Sequence, residues 1–371
     1  MLYNLRLFLG VKTVKKLAIY SVICMLIAGL FGCSPQPEPV EQPQPMLTGT
    51  YIASGPAREK PETDSAAVFS VKAGQEVRVA HDGVTTEWVK VITDNEEGWL
   101  PAEYFVQDGK QLVAPVIERL EQLLASAGDI ETALYLTEEL ELLLPLLPTR
   151  EADTVFRKWQ DKILDLLPAV EHAVNSSALG GIIVAEGADI VRVPELISDQ
   201  QARQLLETLL AAGFAPGSSE GMIYVAPNPD TLIRFSDALS EPLQEYAQML
   251  SQAINRPWAM DAALMIPWDE VRARAMAAEQ WLAQNAELPE AAEVETWLNR
   301  LMGAYLRGMD NSPLFPFGTN TLDPDLKTSY ETFLEINKQS RYYEDVRQLY
   351  DLLKQHRFER TAEVEAYLYG R

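Results

Sequence analysis

Three patterns of apolar and polar positions divide the chain. Leu17 to Phe31 is an unbroken apolar run preceded by Lys12, Lys15 and Lys16. That run is shorter than the ~20 residues a helix needs to cross hydrocarbon. Between Met46 and Asp108 come short β-type runs: Val68 to Val71, Glu76 to Ala80, Glu87 to Ile92 and Gly98 to Leu100. Turn signals at Lys72-Ala73-Gly74, His81-Asp82-Gly83 and Asp94 to Glu97 separate them, which predicts about five strands in a small barrel or sandwich. From residue 109 the period becomes helical. Leu112, Val116, Ile117, Leu120, Leu123 and Leu124 mark one helix, and Leu134, Leu136, Leu140, Leu143 and Leu144, closed by Pro145 and Pro148, mark a second. A third is predicted from Glu151 to Val174, with Phe156, Trp159, Ile163 and Leu167 inward and Pro168 kinking or ending it.

The pattern then breaks. Residues 180–194 read as two short strands about a tight turn, and 221–226 as a third. Between them a helix is predicted from a Ser198 cap to Ala212, with Leu205, Leu206, Leu209 and Leu210 inward and Gly213 as its stop. Further helices are predicted near 229–237, 240–255, 268–286, 290–307, 324–338, 343–356 and 361–369. Asp323 reads as a cap, Pro324 as a first helical position and Asp325 as a residue favoured by the helix dipole. No residue signature recurs at a constant step, so a regular repeat protein is not supported. The expected fold class is multidomain: a small all-β barrel at 46–108, then a mainly α-helical domain at 109–371 with a minor β-hairpin or small sheet.

Charge narrows the partners. The chain of 371 residues carries a formal net charge of −23. Residues 1–32 hold Arg6, Lys12, Lys15 and Lys16 and no acidic residue, leaving 27 basic against 54 acidic residues beyond them. A surface this acidic repels nucleic acid and anionic lipid alike. Membrane attachment would therefore be covalent.

The basic-then-apolar order at the N-terminus is that of a secretory signal. The run ends in Leu30-Phe31-Gly32-Cys33, which resembles the lipobox of bacterial lipoproteins. The resemblance implies a signal peptide at 1–32 and a mature protein beginning at a diacylated Cys33. Two acyl chains, at about 0.8 kcal/mol per buried methylene, would anchor the protein stably. The competing reading is an uncleaved membrane anchor with an incidental cysteine. Cys24 lies inside the apolar run, so removal of the signal leaves Cys33 as the last cysteine and no internal disulfide in the monomer. Residues 33–45 alternate proline with polar residues, an extended tether of about 30–40 Å. The expected location is the cell envelope. With Ser34 beside the anchor, that is the outer membrane of a double-membrane cell, or the outer face of the plasma membrane of a single-membrane one.

In the β-rich segment, Ser54-Gly55-Pro56, Ala73 to Val79, Trp88 to Val91 and Gly98 to Phe105 are similar in order and spacing to bacterial SH3-like domains. Many members carry Asn-Val-Arg before Ser-Gly-Pro, where this chain has Tyr51-Ile52-Ala53. The resemblance implies a module that binds cell-wall peptide or serves targeting, with peptidoglycan or an envelope protein as partner. Trp88, Trp99 and Tyr104 are the candidate ligand contacts. Their ordinary alternative is core or rim packing, the usual fate of aromatic residues in so small a barrel.

Little else carries chemistry. His81, His172 and His356 are scattered, and no metal-ligand spacing, nucleophile elbow, phosphate loop or dinucleotide fingerprint is present. No metal, cofactor or catalytic residue is assigned, and an acylated Cys33 removes the thiol that a cysteine wall peptidase would need. Glu186, Asp189 and Glu220 form a conceivable carboxylate set, though solvated surface is the default. Glu138, Glu139 and Glu141 read as the exposed face of a helix. Leu314, Phe315 and Phe317, set among prolines, are expected to pack on the helices or form an apolar patch, as are Trp258 and Trp268.

The expected function is that of a non-enzymatic, lipid-anchored envelope protein: an SH3-like binding module with a helical scaffold or interaction domain. The alternatives are a wall-glycan hydrolase or lyase using carboxylates of the helical domain, and an envelope sensor or solute-binding protein. Replacing Cys33 with serine should leave the precursor unprocessed on an immunoblot; normal maturation of Cys33→Ser would contradict the anchor.

Overall fold

The computed structural model describes residues 46–370. The expected signal peptide at 1–32, Cys33 and the expected proline tether lie outside the described residues. Seven strands come first: β1 (Met46–Tyr51), β2 (Gly55–Arg58), β3 (Ala67–Val71), β4 (Gln75–Val84), β5 (Trp88–Ile92), β6 (Glu97–Pro101) and β7 (Phe105–Gln107). They form one antiparallel sheet in the order β3-β2-β6-β5-β4-β1-β7. Period-2 alternation places Val77 and Val79 of β4, Val89 and Val91 of β5 and Leu100 of β6 inside, with Tyr51, Ala53, Ala57 and Val71 completing the core. Gly98 is required where β6 passes under β2 and β3: a Cβ there would lie 2.8 Å from that of Ala57 and 3.1 Å from the Phe69 ring. Seven strands exceed the expected five because β1 and the three-residue β7 lack a strong alternation of their own. They gain their order by pairing, β1 with β4 and β7 with β1.

Among the described residues twelve helices follow. The first five in chain order are α1 (Val113–Ser126), α2 (Ile130–Leu143), α3 (Thr149–Asn175), α4 (Ala178–Glu186) and α5 (Gln200–Ala212). The hairpin β8 (Phe214–Ser219) and β9 (Met222–Pro227) leads to α6 (Pro229–Arg234) and α7 (Glu241–Asn255). A two-residue pair, β10 (Ala259–Met260) and β11 (Ala263–Leu264), precedes α8 (Trp268–Asn285) and α9 (Ala291–Arg307). The last three are α10 (Pro324–Ile336), α11 (Tyr343–Gln355) and α12 (Ala362–Tyr369). A small sheet followed by a mostly helical region is the expected fold class. Among the described residues no helix is long and apolar enough to cross a membrane.

Several local expectations are corrected. Residues 180–194 are not strands. The first part is helix α4, and a 3₁₀ turn covers Ala188–Arg192. Tertiary packing overrides the β-branched run here: Leu179, Gly180 and Ile183 are buried, and Gly180 lies so close to the Val174 carbonyl at the end of α3 that a Cβ would approach it to 2.6 Å. The partner of the predicted third strand is instead 214–219. Pro216 and Gly217 disguise it as loop, yet in a two-stranded ribbon each strand is an edge that tolerates proline.

The cap of α5 is Asp199, not Ser198, its carboxylate accepting the Ala202 amide at 2.9 Å. Gly213 ends that helix in the left-handed region at φ 100°. Pro168 neither ends nor breaks α3, which runs seven residues beyond it; the proline is exposed, so water can serve the carbonyl it leaves unpaired. Asp323 caps α10 as expected, accepting the Asp325 and Leu326 amides.

One core runs through the helices. Trp159 is fully buried, stacked on Phe156 and edge-on to Phe235 at 4.9 Å, with its indole donating to Thr137 Oγ1. Farther along, Tyr305 meets Tyr330 edge-on at 5.0 Å, and the Tyr330 hydroxyl donates to the Tyr305 carbonyl. Leu314, Phe315 and Trp268 are buried, while Phe317 is 75% exposed. The same core takes in Ile52, Ala73 and Val106 of the sheet, so barrel and helices are joined by continuous packing.

Candidate functional site

Two faces of the barrel have different surroundings. On β5 and β6 the register sets Trp88 opposite Pro101 and Lys90 opposite Trp99. Their neighbours Val89, Val91, Gly98 and Leu100 point inward and are buried, so Trp88 and Trp99 occupy diagonal positions on the outer face. Diagonal partners lie about 7–8 Å apart, within reach of aromatic side chains. Arg58 stands opposite Trp99 across β2–β6. Both indoles are partly exposed, and neither packs against either apolar core. Cations flank them: Lys90 pairs with Glu97 at 2.7 Å, and the Arg58 guanidinium donates to the Ser65 carbonyl at 2.8 Å. Neither ion pair nor hydrogen bond here is buried enough to hold the strands. The face therefore offers two indoles, the Arg58 guanidinium and the Lys90–Glu97 ion pair on an acidic protein.

Tyr104 is placed differently. It ends the 3₁₀ turn Ala102–Tyr104, between β6 and β7. Its ring meets Tyr51 edge-on at 6.2 Å and carries the Arg119 guanidinium of α1 at 4.7 Å. It packs on both apolar cores, that of the barrel and that of the helices. The structure thus brings Trp88 and Trp99 together on the outer face and turns Tyr104 toward the helices.

The joint beside Tyr104 contains a carboxylate the sequence did not reveal as special. Glu139 of α2, expected on an exposed face, is 1% exposed. It falls three residues after Leu136 and four before Leu143, on the apolar stripe rather than opposite it; that spacing was the available signal. Glu138 and Glu141 do face solvent, and Glu141 pairs with Arg234. One oxygen of Glu139 accepts the Ser54 backbone amide at 2.9 Å, at the start of β2. The other lies 3.7 Å from Arg119 Nη2 and has no hydrogen-bond partner. Arg119 also donates to the Tyr135 hydroxyl at 2.8 Å, and Tyr135 donates to the Ser54 carbonyl at 3.3 Å. Burial raises the Glu139 carboxyl above its ordinary 4.5, against the opposing pull of Ser54 and Arg119.

The helical domain has its own carboxylates. Glu186 ends α4 and Glu220 sits in the β8–β9 turn, both open to solvent. A cavity of about 400 Å³ between α3, α7 and the start of α9 is lined by Asp161, Glu290 and Glu293 among apolar walls. Glu290 accepts two bonds from Arg157, at 2.5 and 3.3 Å, and Glu293 accepts the Tyr246 hydroxyl at 2.7 Å. Both carboxylates are thereby committed to holding the helices together.

Comparison with known families agrees with this geometry. Residues 54–106 match the bacterial SH3 domain family, the span from the Ser54 joint through β7. No curated protein matches the chain.

The raised Glu139 carboxyl has a consequence with a definite sign. The folded state binds its proton more tightly than the unfolded chain, so this group's contribution to stability is highest at low pH and falls as pH rises above about 4.5. Glu139→Gln keeps an oxygen for the Ser54 amide but cannot titrate. Urea unfolding from pH 4 to 7 should show the variant gaining on the natural protein as pH rises; a flat or opposite difference would contradict a buried Glu139.

Proposed function

We propose that this is a lipid-anchored protein of the bacterial cell envelope whose SH3 domain grips wall material or an envelope protein through Trp88 and Trp99. The observation that carries the reading is the family match over 54–106 combined with two outward indoles flanked by cations. Bacterial SH3 domains commonly bind cell-wall material. Indole faces suit sugar rings and peptide side chains, and the cations suit the carboxylates that wall peptides carry. The lipobox-like Leu30 to Cys33 and the proline run after it support attachment through Cys33, with the folded part held off the bilayer. In this reading Tyr104 orients the barrel on the helices, and the protein works by binding rather than by catalysis. The engagement of Glu290 by Arg157 and of Glu293 by Tyr246 speaks for that choice over a glycan hydrolase.

Because the barrel shares packing with the helices, the full chain is the right material for a test. Sedimentation with purified peptidoglycan should retain the natural protein. Trp99→Ala should lose about 2 kcal/mol of binding, roughly thirty-fold in Kd, as expected for a central aromatic contact. Equal retention of both proteins would remove Trp99 from the site, and no retention of either would discard wall binding.

A further inference from the structure

The helical domain carries a second groove with different chemistry. It lies between α7 and α8 and continues to α9. One end, about 460 Å³, is bordered by Gln248 and Gln252 on α7 and by Gln280 and Gln284 on α8. The other end, about 250 Å³, is bordered by Trp258, Trp297 and Arg300. The two recesses share Met249, Gln252 and Ala277, so they adjoin along α7 and α8 as two ends of one trough. From Arg274 to Gln284 on α8 it extends about 15 Å at the rise of an α-helix. Ala253 and Ala277 leave the trough its depth, since larger side chains at those positions would fill it.

Its polar groups are uncommitted. None of the four glutamine amides has a hydrogen-bond partner among the described residues, nor do the indole N–H groups of Trp258 and Trp297. By contrast, Trp281 in the floor donates to the Pro242 carbonyl at 2.9 Å, and Arg274 is engaged by Glu270 at 2.6 Å. Arg300, an exposed residue one turn along α9 from Trp297, has no ion-pair partner among the described residues. Trp297 is held flat against Tyr246, 5.7 Å between ring centres and 3° between planes, so its position in the wall is set. In a chain of net charge −23, most of this trough is uncharged, with a free guanidinium at one end and Glu245 at the other.

Such a lining selects a ligand. Neutral amides that both donate and accept suit hydroxyl and acetamido groups, and indole faces suit the apolar faces of sugar rings. A helical peptide would need a continuous apolar groove, which Gln248, Gln252, Gln280 and Gln284 interrupt here, and an added strand would need a free sheet edge, which helices do not supply. We propose that the α7–α8–α9 trough is a binding site for a short acetamido-sugar strand, oriented by a carboxylate on the sugar that pairs with Arg300. The choice among sugars rests on the wall reading above, whereas the trough itself is separate from the Trp88–Trp99 face.

Titration calorimetry of the full chain tests this with two probes. One is triacetylchitotriose, a neutral acetamido trisaccharide; the other is the disaccharide of N-acetylglucosamine and N-acetylmuramic acid, which carries a carboxylate. Both should bind. The double variant Gln252→Ala/Gln280→Ala should weaken both about tenfold, the loss expected for two hydrogen-bonding groups. Arg300→Ala should weaken the acidic sugar by a similar factor and leave the neutral one within about twofold. All three side chains are exposed, and far-UV circular dichroism confirms that each variant folds. In a Trp99→Ala background the glutamine double variant should still weaken both sugars about tenfold, so the trough is read independently of the Trp88–Trp99 face. Absence of binding by both sugars at millimolar concentration, or retention of full affinity in the glutamine variant in either background, would overturn the proposal.

Discussion

A carboxylate taken out of water must find donors, and in this protein that requirement joins two architectures. Glu139 sits on the apolar stripe of α2, 1% exposed, with one oxygen on the Ser54 amide and the other beside Arg119. Ser54 begins the segment that matches the bacterial SH3 domain. Its amide is therefore read by a helix rather than by another strand, while its hydroxyl accepts the Ala73 amide at 3.0 Å. Around this contact Arg119, Tyr104 and Tyr135 close a polar cluster, and Ile52, Ala73 and Val106 continue the helical core into the sheet. A buried charge with imperfect pairing costs stability by itself, but leaving the Ser54 amide without an acceptor would cost about 1–3 kcal/mol as well. The arrangement specifies how the barrel docks more than it strengthens the fold.

That docking has a functional meaning. A small barrel alone presents every face to a ligand. Here the face bearing Tyr104 is turned to α1, and the face bearing Trp88 and Trp99 is left outward. The helices thus select which side of the module is free. They also offer the amide-lined trough between α7 and α8, whose depth follows from alanines on both helices.

Much of this was legible in the sequence, and what was not has physical reasons. Periodicity gave the helices from α1 to α3 and from α7 to α12, because their apolar residues recur at helical steps over two or more turns. The Asp323-Pro324-Asp325 start was readable because capping is a local interaction. Residues 180–186 misled because β-branched side chains and paired glycines resemble a strand, while close packing of Gly180 on α3 decides for helix. β8 was hidden by Pro216 and Gly217, the latter lying under the Tyr224 ring of the paired strand. Trp88 and Trp99 could be named from the family-like blocks, but the partition of Tyr104 from them depends on Arg119, fifteen residues on and in another element. Glu139 was missed because a run of acidic residues reads as solvated surface unless its phase against the leucines is counted.

Through the Glu139 joint, barrel and helical domain behave as one unit. Native-state hydrogen exchange in increasing urea tests this directly. Amides in the barrel core, such as Val79 and Val91, and in the helical core, such as Leu120 and Trp159, should reach the same opening free energy and the same dependence on urea. Persistent protection of one set after the other has opened would show two independent domains and contradict the account.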